Sequence, residues 1–418
     1  MDKQTMGAWI VHHGRKINDN TNVAAEYGAI DIAAKSASLL SRMAASDQDE
    51  LSNELVITLG KVGGLNPRTE LKACLEELKK QKVIDVANSG AVSVLGITTN
   101  SALSHATDMF NRNAPDSHEN AVLDLSEKVS QAPINRKLAS EYISDIHRLP
   151  NSEVSELITQ ASTIGFIDSD SDDDDPLLFN GNLFRRDTVS KSQKILSSLN
   201  STEQSSLINF NEKLKLQGAV HIKVAEKILG QTLLSKLRAA AFFDENVVSN
   251  EAGDHSFITS PSSFHKFSNP MLDDAFDHAK ALVSALCYGV SVSSSSRGRI
   301  WGVELILGKL IRGGTVGPVP AIGKDYRALE LERVVRIIAG NYGFSMQLLK
   351  REVGEIALQV LQNGSANNTV LENVPSAQVT AYIGPEAART RFKKKKSIQP
   401  SSSQMRTLLS SVRSGGGL

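Results

Sequence analysis

The sequence has very little cysteine, since only Cys74 and Cys287 occur among its 418 residues. Each lies in an apolar stretch with helical spacing, which predicts two buried thiols rather than a functional site. A zinc site needs about four clustered ligands, so these two residues indicate neither a metal site nor a disulfide framework. We therefore expect no metal and no cofactor. The low cysteine usage indicates an intracellular, reducing compartment: cytoplasm or nucleoid, or the nucleus in a eukaryote.

Long apolar runs are also missing. The run at residues 6–11, which Gly7 interrupts, is too short for a signal peptide. No later segment approaches the roughly 18 apolar residues that a membrane helix needs, so we expect no membrane partner. Aromatic residues make up only 5% of the chain, which disfavours ligand recognition mainly through stacked rings.

The common catalytic motifs are absent. The sequence has no G-x-x-x-x-G-K-[ST], G-x-G-x-x-G, G-x-S-x-G or H-E-x-x-H pattern. Gly308-Lys309 lacks the preceding glycine that a phosphate-binding loop requires. These absences favour a non-enzymatic protein, although they leave an unrecognised activity open.

Two short patterns resemble metal sites but lack the residues that such sites require. Residues 168–175 begin as D-x-D-x-D, but Asp173 replaces the turn glycine of a calcium loop and Phe179 replaces its bidentate glutamate. A solvated acidic loop is the better interpretation, and it could meet a basic partner. His12 and His13 are adjacent, so on a strand their side chains point to opposite faces.

The formal net charge is zero, but the charge is unevenly distributed. Residues 385–418 contain eight Lys or Arg and one Glu, a local charge of +7, which leaves −7 on the other 384 residues. Six of these cations lie within eight residues. They are Arg389, Arg391, Lys393, Lys394, Lys395 and Lys396. Such a segment suits a nucleic acid or an acidic protein surface, and a solubilising tail is the plain alternative.

The first clear structural pattern lies at residues 51–97. A helix over 51–62 ends at Gly63-Gly64, and Asn66-Pro67 starts a second helix. Two short strands follow, at 83–86 and 91–97, around a turn at 88–90. The order of helix, turn, helix and hairpin resembles the winged-helix superfamily, with no particular family indicated.

The same order recurs twice. Helices at 136–147 and 150–164 precede strands at 166–167 and 177–184, and helices at 220–229 and 232–243 precede strands at 247–249 and 256–259. Further helices are predicted at 23–45, 190–215, 273–288, 326–339 and 345–362. A strand is predicted at 8–13 from Trp9-Ile10-Val11, and residues 291–324 read as loop.

These patterns predict a mainly α fold with small β-hairpins, an α+β class of tandem winged-helix-like units followed by a C-terminal helical region. The predicted order is an N-terminal strand and helix (1–48), a first winged-helix-like unit (49–112), a linker (113–134), a second unit with an acidic wing (135–188), a connecting helix (189–217), a third unit (218–268), a C-terminal helical region (269–363) and a flexible basic tail (364–418).

The resemblance implies duplex DNA binding, with the second helix in the major groove and the wing against the phosphate backbone. The third unit is the best candidate because it has cations on its two helices. They are Lys223, Lys227, Lys236 and Arg238. The first unit has mixed charges, and the second has no Lys or Arg in its second helix.

Two functions follow from these observations. The leading hypothesis is a non-enzymatic DNA-binding protein that uses the third unit and the basic tail. The alternative is an assembly or scaffold subunit whose units bind protein partners. One such partner is a second copy of the chain. The acidic second unit favours the alternative.

Overall fold

The computed structural model describes residues 1–18, 26–44, 46, 50–96, 99–170, 175–184, 189–267 and 273–366. The six tail cations predicted to bind nucleic acid, at 389–396, lie outside these residues. The chain divides into two compact bodies. We call residues Met1–Gly181 the N-terminal body and the described part of Asn182–Val374 the C-terminal body.

The N-terminal body is mainly helical, and three of its helices, α1, α2 and α5, pack together. Its elements, in chain order, are α1 Lys3–Asn18, α2 Gly28–Ala44, β1 Glu50–Leu51, α3 Asn53–Val62, α4 Glu70–Lys80, β2 Ile84–Val86, β3 Val92–Val94, α5 Thr99–Arg112, α6 Ser117–Gln131, β4 Ile134–Asn135, α7 Arg136–His147, α8 Asn151–Ile164, β5 Asp168–Ser169 and β6 Leu177–Phe179.

The C-terminal body has a larger share of strand. Its elements are α9 Val189–Ser197, α10 Ser201–Gln217, β7 Ala219–His221, α11 Ile222–Leu229, α12 Gln231–Ala239, β8 Asp244–Asn250, β9 Gly253–Thr259, α13 Pro261–His265, α14 Asp273–Ser291, α15 Val303–Ile311, β10 Thr315–Val319, α16 Ile322–Asp325, α17 Arg327–Leu331, β11 Val335–Gly340, β12 Gly343–Leu348 and α18 Arg351–Asn363.

Four modules share one topology. In each, a short strand precedes two helices and an antiparallel hairpin, and the short strand pairs with the last strand of the hairpin. The sheet orders are β1-β3-β2, β4-β6-β5, β7-β9-β8 and β10-β12-β11. We number these modules 1 to 4. The mainly α class with small antiparallel hairpins is thus confirmed, and the fourth module was not predicted.

The hairpins of modules 1 and 3 lie where the turn residues place them. Ile84 pairs with Val94 around the Asn88-Ser89-Gly90 turn, and Val247 pairs with Ser256. In module 2 the pairing is shorter, with Asp168 opposite Phe179. Its first strand is 168–169 rather than the predicted 166–167, and its second ends at Phe179 rather than at the predicted Phe184. Turn chemistry is local, so sequence alone is sufficient to find these hairpins.

The predicted strand at 8–13 is wrong, because these residues form the middle of α1. Residues 7–14 are all buried. Packing of α1 against α2 and α5 therefore surrounds the segment, and tertiary burial overrides the weak strand preference of Trp9-Ile10-Val11.

The segment predicted as a linker, 113–134, contains the four-turn helix α6. Its start is a capping box in which Asp116 Oδ1 accepts from Glu119 N at 2.8 Å and Glu119 Oε2 accepts from Asp116 N at 3.3 Å. Glu119 Oε1 also accepts from the amides of Ala29 and Ile30 at the start of α2. One buried carboxylate therefore caps two helices.

The connecting helix predicted over 190–215 is two helices. α10 begins at its own capping box, formed by Asn200 and Glu203, so α9 and α10 are separate helices. α10 is not a spacer: its Leu207, Phe210 and Leu214 belong to the hydrophobic core of module 3.

The region predicted as helical over 269–363 contains the three-stranded sheet of module 4. Residues 335–340 and 343–348 form strands where helix was predicted, and residues 303–311 form a helix where loop was predicted. The helices α16 and α17 have four and five residues. Helices this short span too few turns to show a hydrophobic period.

The sheet of module 3 separates two hydrophobic cores. Alternate residues of its strands point to opposite faces. Val220 and Ile258 pack among α10, α11 and α12, whereas Ala219 and Phe257 pack into a core shared with α14, α18 and module 4. Modules 3 and 4 are therefore joined by a continuous core.

Candidate nucleic-acid interface

The four predicted cations of module 3 are all exposed. Lys223 and Lys227 lie on α11, and Lys236 and Arg238 lie on α12. The helices are held by the buried leucines of α12, namely Leu233, Leu234 and Leu237. The module 3 fold therefore presents cationic groups on both helices, as the sequence predicts.

Arg238 differs from the three lysines because a carboxylate binds it. Its Nη2 lies 2.6 Å from Glu245 Oε2 on the adjacent strand β8. This ion pair is partly exposed, with 48% of the Arg238 side chain accessible. The pair offsets the charge of Arg238, so Arg238 contributes less to a positive potential than Lys236 does.

A groove between α9 and α12 gathers three lysines. Its lining comprises Ser190, Lys191, Lys194, Ile195, Ser198 and Lys236. Lys191 Nζ donates to the backbone oxygen of Ala239 at 2.8 Å, at the end of α12. Because an ammonium group has three donors, Lys191 keeps two for a ligand. Within the described part of the chain, Lys194 and Lys236 have no carboxylate at ion-pair distance.

Lys191 and Lys194 were missed by the sequence reasoning, which placed them in a connecting helix. Their spacing of three residues on one helix was a usable signal, since it puts both on one face. That this face lies beside α12 depends on the packing of α9 against module 3. Conversely, Lys223 and Lys227 do not line this groove.

The β8–β9 hairpin is acidic. Residues 244–259 contain four Asp or Glu and no Lys or Arg. At the hairpin turn, Glu251 Oε1 accepts from Arg297 Nε at 2.9 Å, and Asn250 Nδ2 donates to Asp325 Oδ1 at 3.0 Å. This hairpin is therefore bound to module 4 and has the wrong charge for phosphate.

Module 4 and its flanks are the most cationic part of the C-terminal body. Residues 295–351 contain ten Lys or Arg and four Asp or Glu, a net charge of +6. Arg299, Lys309, Arg312, Arg333 and Arg336 are exposed. The cluster is hard to recognise in the sequence because its cations are spread over many elements rather than along one helix.

Net charge separates the two bodies. Residues 1–181 carry 16 Lys or Arg and 27 Asp or Glu, a net charge of −11, whereas residues 182–366 carry 22 and 17, a net charge of +5. In the N-terminal body, cations of α4 are also paired, as Lys80 is with the buried Glu77 at 3.6 Å. Long-range attraction of a polyanion therefore falls to the C-terminal body and the tail.

None of the described helices is long and apolar enough to cross a membrane. Across the same residues, no group of three or more His, Cys, Asp or Glu is placed to hold a metal ion. Comparison with protein-family models, curated proteins and solved structures found no match.

Proposed function

We propose that the chain is a non-enzymatic nucleic-acid-binding protein built from winged-helix-like modules, and that the α9–α12 groove of module 3 is its duplex contact. The convergence of Lys191, Lys194 and Lys236 is the observation that carries the proposal. Three ammonium groups in one groove suit successive phosphate oxygens, which are the main acceptors in protein–DNA interfaces.

The order of elements supports the winged-helix-like interpretation. Each module has a short strand, two helices and a hairpin, with the short strand paired to the last strand. In module 3 the second helix is α12, the element that would face a groove of the duplex. The acidic β8–β9 hairpin would face away from phosphate, so α9 supplies the cations that a wing would otherwise supply.

The test is a titration of the full chain with plain duplex DNA at several salt concentrations. The double variant Lys194→Gln/Lys236→Gln is expected to lower affinity and to reduce the slope of log affinity against log salt by about two, because each phosphate neutralised contributes roughly 0.9. The matched control is Lys61→Gln/Lys79→Gln, which removes two exposed charges from the acidic N-terminal body. Equal effects of the two double variants would contradict a specific role for the groove.

An assembly subunit is the second candidate function. It is favoured by the charge of −11 on the N-terminal body and by the acidic β8–β9 hairpin, both of which repel phosphate. Duplex affinity that is unchanged by the groove variant and nearly independent of salt would support this candidate. The groove would then be a surface for an acidic protein partner.

A further inference from the structure

Two aromatic side chains in module 4 and its N-terminal flank are almost fully exposed. Trp301 is 83% accessible and Tyr342 is 88% accessible. By contrast, Trp9, the other tryptophan of the chain, is 0% accessible. A large ring that stays exposed forgoes favourable burial, so Trp301 and Tyr342 indicate a surface that contacts a partner.

The segments that carry the two rings both pack against Val319 of β10. Gly298 packs so closely on Val319 that a Cβ there would lie 2.7 Å from Val319 Cβ, and a Cβ on Gly343 would lie 2.9 Å from the Val319 carbonyl carbon. Tyr342 immediately precedes Gly343, and Trp301 is three residues beyond Gly298. Both rings therefore extend from segments anchored on one residue.

Arg299 completes this surface. Its guanidinium carbon lies 5.1 Å from the centre of the Trp301 ring, and its Nε donates to the Val290 oxygen at 3.2 Å. The guanidinium is thus fixed over one face of the indole. Leu305 on α15 is 81% accessible. It lies four residues after Trp301 and adds apolar area to the surface.

The surrounding charge favours a polyanion. Residues 295–351 carry a net charge of +6. The nearby carboxylates are engaged: Glu251 binds Arg297, and Glu304 Oε2 accepts from Gln362 Nε2 at 3.4 Å. An apolar protein partner would use the rings but would gain nothing from this excess of cations.

We propose that Trp301, Tyr342 and Arg299 form a binding site for single-stranded nucleic acid. Unpaired bases stack on the two rings, and the surrounding arginines and lysines bind the phosphates. Stacking on aromatic side chains within a cationic surface is the physical basis of binding to single strands of any sequence. The site is separate from the α9–α12 groove and does not depend on it.

The experiment uses the full chain and oligothymidylate as the probe, with intrinsic tryptophan emission as the first readout. Trp9 is buried in the N-terminal body, so stacking on Trp301 is expected to quench the exposed component of the emission. Trp301→Phe should remove the quenching while retaining a ring. The absence of saturable quenching by oligothymidylate would overturn the proposal.

Affinity is measured separately, from the anisotropy of a labelled oligothymidylate. Trp301→Ala and Tyr342→Ala should each weaken binding by roughly 5- to 150-fold, which corresponds to the usual range for one stacked base. Leu216→Ala, which truncates a side chain 79% accessible on α10, is the control and should have no effect. Full affinity in both ring variants would overturn the proposal.

Two further measurements distinguish this site from the α9–α12 groove and from a protein interface. Lys194→Gln/Lys236→Gln should keep the quenching by oligothymidylate even if it loses duplex affinity. If the ring variants instead leave oligothymidylate binding intact and convert an oligomer to a smaller species in sedimentation, the rings form an interface between copies of the chain and the proposal is wrong.

Discussion

Arg297 and Asp325 form an ion pair at the junction of modules 3 and 4, with Arg297 Nη2 2.8 Å from Asp325 Oδ1. The Asp325 side chain is only 2% accessible. Burial raises the pKa of the Asp325 carboxyl above its ordinary value, and the bond from Arg297 opposes that shift. Because Arg297 also binds Glu251 at the β8–β9 turn, one guanidinium joins the hairpin of module 3 to module 4.

Arg297→Met is expected to destabilise the C-terminal body by on the order of 3 kcal/mol, since it leaves the buried Asp325 carboxylate without its cationic partner and, among the described residues, with only the Asn250 amide as a donor. Amide hydrogen exchange of the β8 and β9 strands measures the effect. Arg351→Met is the control, because Arg351 binds Glu355 from a side chain 68% accessible, and an exposed pair contributes below about 1 kcal/mol.

The stability of the same variant should depend more strongly on pH than that of the native protein. Without Arg297, the folded-state pKa of Asp325 lies further above its unfolded value, so the protonated form favours folding. The stability deficit of Arg297→Met should therefore shrink at low pH and grow as pH rises through the folded pKa. A deficit that is constant with pH would show that lost packing, rather than the unpaired carboxylate, is the cause.

Two buried histidines should make the N-terminal body sensitive to acid. His13 stacks on Phe166 with ring centres 4.1 Å apart, and its Nε2 lies 2.8 Å from Ser126 Oγ. Burial lowers the pKa of both His12 and His13 well below 6.5, with the Lys16 charge as the next cause. The folded state therefore holds both rings neutral.

Since the unfolded chain binds protons at higher pH than the folded chain, stability should be complete above about pH 6.5 and fall below it, by roughly 1.4 kcal/mol per pH unit for each histidine. Urea unfolding of Trp301→Phe, in which only the buried Trp9 emits, measures this body alone. His12→Gln and His13→Gln should each flatten the pH dependence. A slope unchanged by both substitutions would contradict the assignment.

Phe210 tests whether α10 belongs to module 3. It is fully buried and meets Phe243 edge to face, with ring centres 5.3 Å apart. Phe210→Ala should cost about 3–5 kcal/mol in the free energy of unfolding, whereas Ile208→Ala, 61% accessible on the same helix, should cost under about 0.5 kcal/mol. Similar losses of unfolding free energy in both variants would show that α10 is a spacer rather than part of module 3.

The basic tail stays a prediction from sequence. Truncation after Gly384 removes the six cations of residues 389–396, so duplex affinity at low salt should fall, and the slope against log salt should lose up to about five. The circular dichroism spectrum should retain its helical signal. Equal affinity and parallel salt plots for full-length and truncated chains would exclude the tail as a nucleic-acid contact.

The sequence by itself determined the features that depend on neighbouring residues. The turn at Asn88-Ser89-Gly90 specifies its backbone conformation locally, so the hairpin of module 1 lies where it was predicted. The helix α7 has its predicted bounds, 136–147, for the same reason. The capping box of Asp116 and Glu119 is also a local signal, because an N-cap residue followed three positions later by glutamate marks a helix start. The second helix of module 1 starts at Glu70 rather than at the predicted Asn66-Pro67, and Leu51 belongs to β1 rather than to the first helix.

Only the tertiary structure decided the features that depend on distant residues. Residues 8–13 became helix because α2 and α5 surround them, and module 4 formed around helices too short to show a period. The convergence of Lys191 and Lys194 with Lys236 requires α9 to pack beside α12, and the segments of Trp301 and Tyr342 share a neighbour only because Gly298 and Gly343 both pack on Val319. Propensity and spacing act over a few residues, whereas these contacts join segments some 40 residues apart, which only packing of the core brings together.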